Sequence, residues 1–449
     1  MGLQVKSSNK SARRLKQFIV SLLIGFWASI AQADLLDLSA HSAFKRLYVI
    51  PEPSARNIEI LVSVPVGEVD RTGPEGLAHY LEHLVVWSAD KVHGEGLRNR
   101  EMNAWTSPHW TTYWNSGPTD ALENMIRNAR AVFEPIELSQ EFMLTERDVV
   151  EREFDLRYRD NPTAILYRGA YHHLYGQHGL GRSVMGTPES IRQITPAATL
   201  AFHKERYRPQ DAYVVIYGPI TKTDILVQIE RHLQNLAQPR PVARRVFAPL
   251  PEPPENTLSL GLSALTRDEV LVVGQAAPPA GFSRRKLWFS MLLLADVLNS
   301  TQKGGLAKPL YFDDFVVTHI SVQFFLLPSG DIGFEVFFRP EDGVSPQESA
   351  KRVHKVMRDL ARNGLAAETF KAIQDQTRAE VRRRETAQSK YHATIAQSSI
   401  LNLGQALDVK SYHYELGQPT VNDLNTLLKS IVQSPFTTTA FAYPETRND

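Results

Sequence analysis

Gly76-Leu77-Ala78-His79-Tyr80-Leu81-Glu82-His83-Leu84-Val85-Val86 is an apolar run interrupted by two histidines and a glutamate. A helical turn takes about 3.6 residues, so His79 and His83 stack on one face of a helix. On that face a single divalent ion takes one nitrogen from each ring. Glu82 falls on the flank of the same face, beside such an ion rather than on it. The order His-x-x-Glu-His is the zinc-hydrolase motif read in reverse. A match of this kind arises by chance in a chain of this composition with a probability on the order of a few per cent. It therefore calls for a third ligand.

A second helix, from Ser139 to about Tyr158, offers one. At about 100° per residue, Phe142, Glu146, Val149, Val150 and Glu153 share a stripe, and Glu151 points the opposite way. Carboxylates that share a stripe with Phe and Val face inward, where they need a metal or a hydrogen-bonded partner. The ordinary alternative is a solvated charged face, because the segment is rich in Glu and Arg.

Composition narrows the chemistry. Hydrophobic residues are 43% and charged residues 22% of the 449, and the net charge is +1. That balance is usual for a globular protein and gives no reason to expect a nucleic-acid partner. There is no cysteine. This excludes a disulfide framework, thiolate ligands, a Cys nucleophile and a lipoprotein anchor, and leaves metal binding to His, Asp and Glu. Residues 1–33 read as a signal peptide. Lys10, Arg13, Arg14 and Lys16 precede an apolar stretch from Phe18 to Ile30, and Ala31-Gln32-Ala33 supplies the cleavage site. That stretch is shorter than the roughly 20 residues a spanning helix needs. The expected mature chain starts at Asp34, has no stable membrane anchor, and is periplasmic or secreted.

The pattern then runs twice. Phe44 to Pro51 and Asn57 to Pro65 read as strands, followed by the motif helix. Met102 to Trp114 is rich in Thr and aromatics and reads as strand pairing. Helices are expected over Asp120 to Phe133, from Thr187, and over Thr221 to Leu236, with a buried strand at Ala212 to Gly218. Six prolines between Pro239 and Pro254 mark an extended linker. Beyond it, Glu269 to Ala277 is a strand, Pro278-Pro279 a turn and Arg284 to Leu298 a helix, with Ser290 to Asn299 where the histidine motif stood. Helices over Gln347 to Asn363 and Ala367 to about Gln397 continue the echo. We read an internal duplication whose second copy lacks ligands. Its parts are an N-terminal domain over 34–238, a linker over 239–256 and a C-terminal domain over 257–449.

These residues resemble the pitrilysin, insulin-degrading enzyme and mitochondrial processing peptidase family of zinc peptidases, in its short bacterial form. The resemblance covers most of the mature chain. It rests on His79-x-x-Glu82-His83, on Glu146 and Glu153 seven apart, and on Asn103-Ala104-x-Thr106. Supporting matches are Gly186-Thr187-Pro188-Glu189-Ser190-Ile191, Tyr207-Arg208-Pro209 and the strand ending at Gly218. It implies an α+β fold of two homologous domains, each an antiparallel-rich sheet packed against helices. It further implies one Zn2+ per chain held by His79, His83 and Glu153, with Glu82 as general base and Glu146 as a supporting carboxylate. Asn103 and Ala104 would lie on a strand that binds a short or unfolded peptide by strand addition. The family also places an Arg and a Tyr near the scissile carbonyl. After Gly304-Gly305-Leu306 this chain reads Tyr311-Phe-Asp-Asp-Phe-Val-Val-Thr-His-Ile320 and has no such pair. The expectation is a zinc endopeptidase with a homologous partner chain that supplies Arg and Tyr. The rival is a non-catalytic, peptide-binding subunit of such a complex.

Overall fold

The computed structural model describes residues 35–70, 73–93, 101–236, 249–254, 257–387 and 391–445. The expected signal peptide and most of the expected linker lie outside them. All described residues belong to one compact unit.

Two sheets organise that unit. The first runs in the order β1 (Leu36–Asp37), β2 (Arg46–Pro51), β6 (Tyr213–Gly218), β3 (Ile58–Val64), β5 (Thr111–Gly117) and β4 (Glu101–Thr106). The second runs β7 (Leu258–Leu262), β11 (Thr437–Pro444), β8 (Glu269–Ala276), β10 (Ile332–Pro340) and β9 (Val317–Leu326). Omitting β1, the two orders superpose strand for strand. In each, the first strand is parallel to the last and every other pairing is antiparallel. The duplication is therefore visible in topology as well as in sequence pattern. The fold is α+β, with two like sheets each packed against its own helices.

On the first sheet the motif helix (Leu77–His93) buries Leu77, Tyr80, Leu81 and Leu84 in a core with Ile60, Val62, Val64 and Val214. Its histidines fall on the opposite flank from that core. In the second half the helix Arg284–Asn299 takes the same place with Leu287, Phe289, Leu294 and Val297 inward.

A helix not anticipated from sequence, Pro162–Tyr175, locks the halves together. Leu166, Ala170, Leu174 and Tyr175 cover the outer face of the second sheet, against Leu271, Val273, Phe337 and Ala440. Strand β8 is consequently buried along its whole length, which is why it reads as a continuous apolar run without alternation. Reciprocally, the helix Tyr391–Leu403 of the second half packs against β6 of the first sheet. Polar groups in the first of these interfaces are matched. Arg339 donates to Glu269 Oε1 at 2.8 and 3.0 Å, Thr163 to Glu269 at 2.8 and 3.0 Å, and Tyr171 to Glu335 at 2.5 Å. Burial pushes the Glu335 carboxyl up, and the Tyr171 hydroxyl opposes that rise. Tyr171→Phe leaves this buried carboxyl without its donor, a loss of about 1–3 kcal/mol. A melting temperature several degrees lower is expected; an unchanged one would show that the bond contributes nothing.

Candidate active site

The carboxylate helix, Gln140–Tyr158, begins at Ser139, whose hydroxyl accepts from the Phe142 N–H and caps the first turn. It runs against the motif helix, tied to it where the buried Tyr80 hydroxyl donates to the Met143 carbonyl. Trp87 stacks edge-on to Phe142 at 5.7 Å. Met143, Glu146, Val150 and Phe154 are buried on this helix, and Glu153 sits at the rim.

This packing brings four of the expected residues to one point. Glu153 Oε2 lies 3.6 Å from His79 Nε2 and 3.3 Å from His83 Nε2. The three ligand atoms of His79, His83 and Glu153 all lie within 4.8 Å of one another, the one such group among the described residues. The other nitrogen of His83, Nδ1, is 2.7 Å from Glu146 Oε1. Glu146 thus fixes the ring so that Nε2 faces the group. Glu146 also takes a hydrogen bond from Trp87. Glu151 pairs with Arg192, away from the site.

Protonation in the group follows burial and contacts. Burial pulls His79 down to about 4, with nearby His83 adding to the effect, so its imidazole is neutral near pH 7. Its Nδ1 is buried without a hydrogen-bond partner among the described residues. Burial also pulls His83 down, but hydrogen bonds to Glu146 and Glu153 outweigh it and raise the ring to about 9. The His83 hydrogen bond holds Glu153 at about 2 against its burial. Burial lifts Glu82 to about 7. The pattern is a cluster of acidic groups around one neutral and one protonated imidazole. A divalent cation in place of the His83 proton suits that charge, and two imidazole nitrogens with one carboxylate oxygen suit zinc.

Sequence reading did not assign two neighbours of this group. Thr106 donates to Glu82 Oε2 at 2.6 Å. Arg157 donates to the outer oxygen of Glu153, Oε1, also at 2.6 Å. Thr106 ends β4, an edge strand with Asn103 and Ala104 two to three residues upstream. Asn103 is exposed there, and its Oδ1 accepts from the Ala104 N–H at 2.8 Å. Asn103 and Ala104 therefore lie along the edge that leads to Glu82, although neither reaches the histidines through a direct bond.

Residues 193–377 match the family described as the Peptidase M16 inactive domain. An uncharacterized zinc protease of Mycobacterium leprae is 27% identical over 281 residues, which is 58% of this chain and 58% of that one. The probable mitochondrial-processing peptidase subunit beta of Schizosaccharomyces pombe is 26% identical over 202 residues, 41% of this chain and 42% of its own. The chain thus spans about half the length of the curated relatives it matches. A protease from Helicobacter pylori has the same fold, with a TM-score of 0.77 at 16% identity over 92% of this chain and 100% of that one. So does the first half of the periplasmic protease PqqL from Escherichia coli, with a TM-score of 0.71 at 15% identity over 92% and 93% of the two chains. Among the described residues no helix is long and apolar enough to cross a membrane. The match of residues 193–377 and the zinc-protease relatives support assignment to the pitrilysin, or M16, peptidases, and the solved structures share the fold.

Proposed function

We propose that this chain is an exported zinc endopeptidase that cuts short or unfolded peptides, with His79, His83 and Glu153 as the zinc ligands. The observation that carries the reading is the convergence of His79 Nε2, His83 Nε2 and Glu153 Oε2 within 4.8 Å, beside a buried glutamate that belongs to none of them. Zinc held by His79, His83 and Glu153 would supply Lewis acidity and make an attacking water more acidic. Glu82 would accept a proton from the attacking water and return it to the leaving amine. Glu146 orients His83 through Nδ1, and Thr106 holds one oxygen of Glu82. An extended peptide pairs with the edge strand β4, along Asn103 and Ala104, and is brought to Glu82 at its end. Because pairing of this kind reads the backbone, the substrate must be unfolded over several residues.

A homologous partner chain belongs to this reading. It would add the Arg and Tyr of the family's local pattern, which does not follow Gly304-Gly305-Leu306 in this chain. Cleavage between Ala33 and Asp34 and release into the periplasm complete it; the structurally similar PqqL is a periplasmic protease. The test is hydrolysis of an unstructured fluorogenic peptide by the purified chain, with any protein that co-purifies retained. Activity should vanish on chelation and return on adding zinc. Hydrolysis indifferent to chelation, or none under any condition, would overturn the proposal.

A further inference from the structure

We infer that Thr106 is a positioning residue for Glu82, with Thr111 as its backing on the next strand; the inference rests on the reading of Glu82 as the base. Glu82 is buried, at 6% exposure, and its Oε2 accepts a short bond from the Thr106 hydroxyl, at 2.6 Å. A hydroxyl has one proton to give. Thr106 spends it on one carboxylate oxygen, which fixes the plane of the group and leaves Oε1 to receive a proton from water.

Thr106 is itself held from behind. It stands opposite Thr111 in the β4–β5 register, next to the turn closed by the Ser107 N–H on the Trp110 carbonyl at 2.7 Å. The two threonine oxygens are 3.2 Å apart; with the Thr106 proton on Glu82, the fully buried Thr111 hydroxyl is the one that can donate across this contact, its other acceptor being the Val66 carbonyl at 2.9 Å. Behind Thr111 lies Tyr207, hydrogen-bonded to it and to Tyr113, whose hydroxyl is 2.8 Å from that of Tyr207. This row of hydroxyls leads from the inside of the first sheet to a single carboxylate. Packing at position 106 would be served as well by valine, and the one direct donation of the Thr106 hydroxyl is to Glu82, so that hydroxyl points to a role in placing Glu82. Because Thr106 lies at the end of the edge strand, the strand that would pair with a peptide is also the one that aims the base.

The test compares Thr106→Val, which keeps the shape and removes the hydroxyl, with Thr106→Ser, which keeps the hydroxyl. Both are made in the natural chain, and Thr106→Val also in Glu82→Gln, with any co-purifying protein retained. In the natural background Thr106→Val should lower kcat roughly 10- to 100-fold, the range a hydrogen bond to a charged group spans. KM should stay within about twofold, and zinc by metal analysis should stay at about one per chain. Thr106→Ser should recover most of the loss. In Glu82→Gln, Thr106→Val should cost nothing further, because the proton acceptor it serves is gone. Three results would overturn the inference: kcat within about twofold of normal in Thr106→Val, a loss of equal size in the Glu82→Gln background, or a change confined to KM. Zinc loss in Thr106→Val would overturn it too, by making the hydroxyl a support of the metal group. An active Glu82→Gln single variant would instead remove the base assignment, and that result is read before any Thr106 variant is compared.

Discussion

Glu82→Gln is expected to lower peptide hydrolysis by about 10²-fold or more while zinc stays bound. The substitution keeps the size of the side chain and can still receive the Thr106 hydrogen bond. What it removes is the ability to take a proton. In the metal-free site burial lifts Glu82 to about 7; a divalent ion beside it would lower that value and favour the carboxylate form that a general base needs. The zinc ligands are untouched, so metal content separates this loss from simple loss of the ion. Glu151→Gln is the matching control. Glu151 pairs with Arg192 at the surface, and an exposed pair of this kind contributes about 0–1 kcal/mol. Its replacement should leave both turnover and zinc unchanged. If Glu82→Gln turned over peptide at the normal rate, the base would have to be sought elsewhere.

The second large effect concerns the partner. Loss of one oxyanion donor typically costs about 10² to 10³ in turnover, and this chain lacks the Arg and Tyr that the resemblance implies for that task. Where they would be sought, the second half instead presents Tyr311, Phe312 and Phe315, all exposed, with Phe315 at a φ of 49°. A bulky side chain rarely adopts that conformation. The isolated chain should therefore be slow, and titrating a homologous chain that carries Arg and Tyr should raise its rate by roughly the same 10² to 10³. Full activity per zinc from the isolated monomer would show that this chain needs no such donor from outside. Zinc binding without hydrolysis, even with the partner present, would favour the rival reading of a non-catalytic subunit.

How far the sequence carried the fold depends on how local each signal was. Helix phase placed Glu146 and Glu153 on one side of their helix because seven residues make almost two whole turns. The structure buries the first and sets the second at the rim. Strand β8 was legible from its apolar run alone. The helix Pro162–Tyr175 was not, although its start is marked: Asn161 caps the Ala164 N–H at 3.1 Å and Pro162 occupies the first turn. Its buried Leu166, Ala170 and Leu174 recur at every fourth position, but Gly169 and the aromatic Tyr167, Tyr171 and Tyr175 are weak helix formers that blur the signal. Strands β9 and β10 also went unread, since the apolar, aromatic run Ile332 to Phe338 is buried on both faces and does not alternate. The bond from Thr106 to Glu82 joins residues 24 apart across a helix and a sheet edge. No spacing rule reaches that far, and only the fold brings the two together.

The most direct test of the site is a calorimetric titration of zinc into chelator-treated protein, for the natural chain and for His83→Ala. It needs neither a substrate nor a partner. The expected result is one tight site per natural chain, with proton release on binding because His83, held near 9, must give up its proton. His83→Ala should lose that site. Equal zinc stoichiometry in the two proteins, or no zinc uptake by the natural chain, would contradict the assignment of His79, His83 and Glu153.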